Sequence, residues 1–163
     1  AAYISQADVA NLGLSFNAPT IYTWLPASAG YQHLGVIQKV GQAVTALAVL
    51  IYLWPARRRR HDNKHTLLVY AALSCFLVTF LLPGMHERYF YPAEIFSLLL
   101  IFDQLKLAWI APVMQVVTII AYIPFMTYSV NGTLPNEPFA LLAGLVALIV
   151  VNLVVTSRKL LLM

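Results

Sequence analysis

Four consecutive residues, His86-Glu87-Arg88-Tyr89, hold the densest chemistry in this chain. They follow the helix-breaking pair Pro83-Gly84 and lie between two apolar blocks. Three ionisable side chains in a row beside apolar segments are costly unless they have partners or a ligand. Arginine offers a planar fork of donors and histidine a second, switchable donor, so His86 and Arg88 together suit a phosphate. Glu87 could hold either side chain in place. The same residues also read as an interfacial anchor, with Arg88 snorkelling and Glu87 as its ion-pair partner.

A second stretch, Leu14 to Pro26, mixes polar and aromatic groups, among them Asn17, Tyr22 and Trp24. Such a surface could bind a sugar by stacking and amide hydrogen bonds, or serve as an aromatic belt loop at the headgroup level. Other features carry less. His61 and His65 flank Asp62, but the neighbouring arginines repel a cation and no thiolate assists, so no metal site is expected. Asp103 and Lys106 are spaced to pair on a helix face. Lys39 either snorkels or lines a polar cavity. Asn131-Gly132-Thr133 fits a glycosylation acceptor. The sequence holds no phosphate-cradling glycine loop and no nucleophile triad, and no cofactor is implied.

The elements that must position these groups are membrane helices. Of 163 residues, 61% are apolar or aromatic and only 10% are charged; the mean hydropathy is +0.77. A soluble domain of this size cannot hide that much apolar surface. The apolar residues run in blocks at Leu34–Trp54, Thr66–Leu82, Phe90–Phe102, Leu107–Tyr128 and Phe139–Thr156. The fold expected is an all-α, multi-spanning transmembrane bundle of about five helices over 34–163, preceded by an outer-face loop or interfacial segment over 1–33. Asn11, Asn17, Pro19, Pro26 and Gly30 break regular structure in that first segment, where Tyr31 adds a further aromatic. The block Phe90–Phe102 would be only about 20 Å long as a helix, against a hydrocarbon core of about 30 Å. It must extend into flanking polar residues, thin the bilayer, or re-enter.

Charge placement favours a full crossing. With the tract Arg57-Arg58-Arg59-Arg60-His61-Asp62-Asn63-Lys64 in the cytoplasm, five spans put eight of the ten Lys and Arg residues inside. Only Lys39 and Arg88 depart. The C-terminus is then cytoplasmic, and the N-terminal segment and the His86 loop lie outside. Trp54 and Trp109 fall at inner ends, Tyr89, Tyr91 and Tyr128 at outer ends. The net charge of +4 reads as membrane orientation, with lipid headgroups rather than nucleic acid as partner. Cys75 stands alone and can form no internal disulfide. A first residue other than Met points to a fragment of a longer protein. The oligomeric state is left open.

Asn17-Ala18-Pro19 with its following aromatics and Trp24-Leu25-Pro26, then Pro83-Gly84-Met85-His86-Glu87-Arg88-Tyr89-Phe90-Tyr91-Pro92-Ala93, resembles the C-terminal part of the GT-C superfamily, over about residues 11 to 95. These are multi-spanning glycosyltransferases that use polyprenyl-phosphate sugars. His86-Glu87-Arg88 is similar to the His-Glu-Lys motif of dolichyl-phosphate-glucose-dependent glucosyltransferases and to the Met-His-Glu-Arg-Tyr loop of bacterial relatives. The resemblance implies transfer of a hexose, mannose or glucose, from a polyprenyl-phosphate donor to an acceptor at the outer face of a bacterial plasma membrane. It places His86 and Arg88 at the donor phosphate, Glu87 as their orienting group, and Asn17, Tyr22, Trp24 and Tyr89 in the substrate loop. The family's catalytic base is an acidic residue in a first outer loop that nothing here matches, Asp8 included, so the chain is expected to hold part of the donor site without the base. The competing expectation is a non-enzymatic multi-pass protein, a transporter fragment or small assembly subunit, with Lys39, Glu94 or Asp103 along a polar pathway.

Overall fold

The computed structural model describes residues 14–25, 33–58, 64–131 and 137–162. Asp8, Asn11, Pro26, Gly30, Tyr31, the Arg59–Asn63 part of the basic tract with His61, and Gly132 and Thr133 of the glycosylation triplet lie outside the described residues.

The described residues form an all-α transmembrane bundle of five helices: α1 Leu34–Arg58, α2 Lys64–Leu81, α3 Tyr91–Asp103, α4 Ile110–Asn131 and α5 Glu137–Leu162. Four of them contain apolar stretches long enough to cross a membrane; α3, at 13 residues, does not. Large apolar side chains lie open on every long helix, among them Val40 and Leu47 on α1, Leu67 on α2, Ile119 on α4 and Leu148 on α5. That surface is stable against lipid and would aggregate in water.

The core is centred on α2, half of whose apolar stretch is buried against 11% for α1. Val69, Leu73 and Phe76 of α2 meet Leu100 of α3, Met114 and Val117 of α4, and Val146, Ile149 and Leu153 of α5, all fully buried. Five hydroxyls inside the helices are satisfied locally. Thr45, Ser74, Thr79, Ser97 and Ser157 each donate to a carbonyl three or four residues earlier in their own helix, the usual way to bury a hydroxyl without water.

The short block is resolved by what precedes it. A 3-10 turn over Glu87–Phe90 feeds α3, whose first turn holds Pro92, where a missing N–H does no harm. Four residues of 3-10 helix and thirteen of α-helix together reach about 27 Å, equal to the 18 residues of α2. At the far end Asp103 Oδ1 is in hydrogen-bond contact with His65 Nδ1, near the start of α2. The segment therefore runs beside α2 from end to end.

One local expectation is corrected here. Asp103 and Lys106 do not share a helix face. Gln104 turns extended, with φ −140° and ψ 99°, ending α3 at Asp103, and Lys106 falls in a separate 3-10 turn, Leu105–Leu107. The Asp103 carboxylate meets His65 instead.

Candidate functional site

Two stretches far apart in sequence are joined into one structure. A two-residue strand β1, Ser15–Phe16, pairs in parallel with β2, Met85–His86, in the register Ser15 with Met85 and Phe16 with His86. The Gly84 N–H donates to the Leu14 carbonyl at 2.9 Å. Gly84 sits at φ 76°, and Asn17 leaves the pairing at φ 52°. Both are left-handed positions, which glycine occupies freely and asparagine more readily than most residues. The Ser15 hydroxyl donates to the Ala18 carbonyl at 2.6 Å, closing the turn.

Tyr22 and Trp24 fasten this segment to the helices. Tyr22 Oη donates to the Leu81 carbonyl at 2.7 Å, one of the carbonyls a helix end leaves without an internal partner. Burial pushes the Tyr22 phenol above its ordinary pKa, so it stays a donor. Its hydroxyl lies against Gly41 of α1, where an added Cβ would collide with Tyr22 Oη and stand 3.1 Å from Pro83 Cδ. Trp24 Nε1 donates to the Ala140 carbonyl of α5 at 3.0 Å, and its ring meets Phe80 edge-on at 6.1 Å. The polar atoms of both side chains are thus engaged with backbone carbonyls. Asn17 and Tyr89 stay exposed.

The ionisable cluster is centred on Glu87, only 4% exposed. Its Oε2 faces His86 Nδ1 at 3.9 Å and its Oε1 faces Arg88 Nε at 4.0 Å. These are loose distances, so one buried carboxylate lies between an imidazole and a guanidinium without closing tightly on either. Arg88 is half exposed. His86 packs edge-on against the Tyr89 ring, centroids 6.0 Å apart. Burial lowers the His86 pKa, Glu87 works against that shift, and Arg88 adds to it. The net effect favours the neutral imidazole.

A further set of polar groups gathers around Glu94, and of these the sequence pointed only to Glu94, as a polar residue along a pathway, and not to Gln115, Thr118 or Tyr122. Glu94 of α3 faces Gln115 and Thr118 of α4. Tyr122, one turn further along α4, is within electrostatic reach of Glu87, Arg88, Tyr91 and Glu94. Gln115, Thr118 and Tyr122 follow the spacing of one helix face, a signal present in the sequence but set in a span otherwise apolar. Their register against α3 puts the Glu87–Tyr91 level near Tyr122, so the remaining turns of α4 continue about 13 Å past it. The cluster consequently sits against the flank of α4 and not at its end. No group of three His, Cys, Asp or Glu that could hold a metal occurs among the described residues. Comparison of the chain with protein-family models, curated proteins and solved structures finds no match.

Proposed function

We propose that this chain is part of an integral membrane glycosyltransferase that takes a hexose, mannose or glucose, from a polyprenyl-phosphate donor at the outer face of a bacterial plasma membrane. The observation that carries the proposal is the placement of Glu87. A buried carboxylate held loosely between His86 and Arg88 orients both donors without neutralising either by close contact. A lipid phosphate arriving beside them would complete the charge balance with charge-assisted hydrogen bonds. The pairing of Ser15–Phe16 with Met85–His86 supports the reading, because it brings the exposed Asn17 beside the cluster, where Tyr89 is also open. In this role His86 and Arg88 bind the donor phosphate, Glu87 positions them, and Asn17 and Tyr89 face the sugar. The Arg57–Lys64 tract and the C-terminus lie in the cytoplasm.

The test is hexose transfer from polyprenyl-phosphate mannose and polyprenyl-phosphate glucose in membranes carrying the full-length protein. His86→Ala and Arg88→Ala should abolish transfer with membrane insertion unchanged. Normal transfer by both variants would refute the phosphate role. One observation favours a second reading, a non-enzymatic multi-pass protein. The polar groups of Glu94, Gln115, Thr118 and Tyr122 run along the helices as a pathway would. That reading predicts that wild-type membranes transfer no hexose from either donor.

A further inference from the structure

Among the described residues of the long helices, Thr118 carries a buried hydroxyl without a hydrogen bond. Thr45, Ser74, Thr79, Ser97 and Ser157 all donate within their own helices. Thr118 Oγ1 is buried and makes no hydrogen bond at all. It lies near Glu94, but more loosely than a hydrogen bond requires. A buried hydroxyl left without a partner costs on the order of 1–3 kcal/mol, and inside a membrane no bulk water relieves it. Beside it stand a carboxylate, Glu94, an amide, Gln115, and a phenol, Tyr122, in reach of the His86–Arg88 cluster through Glu87 and Arg88. Together they supply acceptors and donors in nearly equal measure.

That chemistry matches neither a phosphate, which a carboxylate repels, nor an acyl chain, which offers no hydrogen bonds. It matches a neutral group dense in hydroxyls. We infer that Glu94, Gln115, Thr118 and Tyr122 form a hydroxyl-recognition site between α3 and α4, which takes a sugar ring adjacent to the phosphate held by His86 and Arg88. This deepens the glycosyltransferase reading and rests on it for the identity of the hydroxyl-bearing group, which is the hexose of the donor lipid or that of a sugar acceptor. Glu94 accepts from two neighbouring hydroxyls, as carboxylates in sugar sites can. Gln115 both donates and accepts, and Thr118 receives the partner it lacks.

The experiment measures binding of three probes to the protein in lipid nanodiscs: a polyprenyl phosphate, the same lipid carrying a hexose, and an octyl hexoside. Thr118→Val preserves shape and removes the hydroxyl, and Thr118→Ser restores it. Thr118→Val should weaken a hexose-bearing probe about three- to tenfold, with Thr118→Ser close to wild type and the sugar-free lipid unaffected. A loss with the hexosyl lipid assigns the site to the donor sugar. A loss confined to the octyl hexoside assigns it to the acceptor. Unchanged affinity of Thr118→Val for both hexose-bearing probes, or an equal loss with the sugar-free lipid, overturns the inference. The phosphate reading fails separately, if Arg88→Ala binds the sugar-free lipid as well as wild type does.

Discussion

The two ends of the bundle solve the same problem in opposite ways. At the Lys64 end, Lys64, Lys106, Arg158 and Lys159 all remain exposed, and the close polar contact there joins His65 to Asp103. At the His86 end, a carboxylate is buried between two basic groups. Around it, a segment from the start of the chain is tied down by strand pairing and by the Tyr22 and Trp24 hydrogen bonds. Exposed charges at a membrane surface are satisfied by water and headgroups and need no scaffold. A buried carboxylate with loosely held partners needs one, because desolvation is offset only while the geometry holds. The difference is that, among the described residues, the His86 end alone carries a scaffold around a buried charge, which is what the proposed phosphate role requires.

If that contrast is sound, substitutions at the His86 end should cost far more than those at the Lys64 end. The largest loss is expected for Glu87→Ala. Removing a buried member of an ion pair costs about 3–5 kcal/mol when both partners are buried. Arg88 is half exposed and can turn to water, which reduces the expected loss to about 2 kcal/mol, read as thermal unfolding in detergent. Gly41→Ala should follow at roughly 1–2 kcal/mol, since the new methyl group must displace Tyr22 Oη and press on Pro83. Gly35 and Gly144 have open space at the same position, so alanine at either should be tolerated. An equal loss at Gly35 and Gly41 would show that the effect is generic to the helices and not a property of the tether.

Tyr22→Phe isolates one bond of that tether. It deletes the hydroxyl that reaches Leu81 and keeps the ring, for an expected loss of about 1 kcal/mol. Proton dependence sharpens the comparison from another side. The His86 pKa is depressed, so the unfolded chain takes up the proton first as pH falls. His86 therefore contributes most to stability above its ordinary value of about 6.5, and that contribution declines as pH drops through the region below it. Binding of a polyprenyl phosphate should run the other way, tightening over the same fall in pH because the anion favours imidazolium. His86→Gln should flatten both profiles. A binding profile that stays flat in the wild type would remove His86 from the anion site.

The helices were legible in the sequence because a membrane span needs one uninterrupted apolar stretch. The reading of Leu34–Trp54 and Thr66–Leu82 falls within four residues of the observed α1, Leu34–Arg58, and α2, Lys64–Leu81. The cluster His86-Glu87-Arg88 stood out by charge alone. The union of Ser15–Phe16 with Met85–His86 could not be read, because strands of two residues have no periodicity and their pairing is set by helices that lie between them. The tethering of Tyr22 and Trp24 to backbone carbonyls was hidden for the same reason. The Asp103–Lys106 pairing failed on a local feature, the extended Gln104 that ends α3. Thr118 was visible only as one of many hydroxyls; what distinguishes it is a missing partner, which a sequence does not display.

The smallest effect should come from the Lys64 end, where His65→Ala removes the contact with Asp103. The His65 side chain is 57% exposed, and pairs with a solvent-exposed partner contribute up to about 1 kcal/mol. Asp103 is the more enclosed partner, with one carboxylate oxygen buried and without a hydrogen bond, so Asp103→Ala releases a desolvated group as well as breaking the contact. Asp103→Ala should therefore be milder than His65→Ala, or even neutral, an inversion that a simple surface pair would not give. Both variants should bind a polyprenyl phosphate with wild-type affinity. Weakened binding in either would mean that the two ends are coupled through α3, the helix that joins Asp103 to the Glu87 turn.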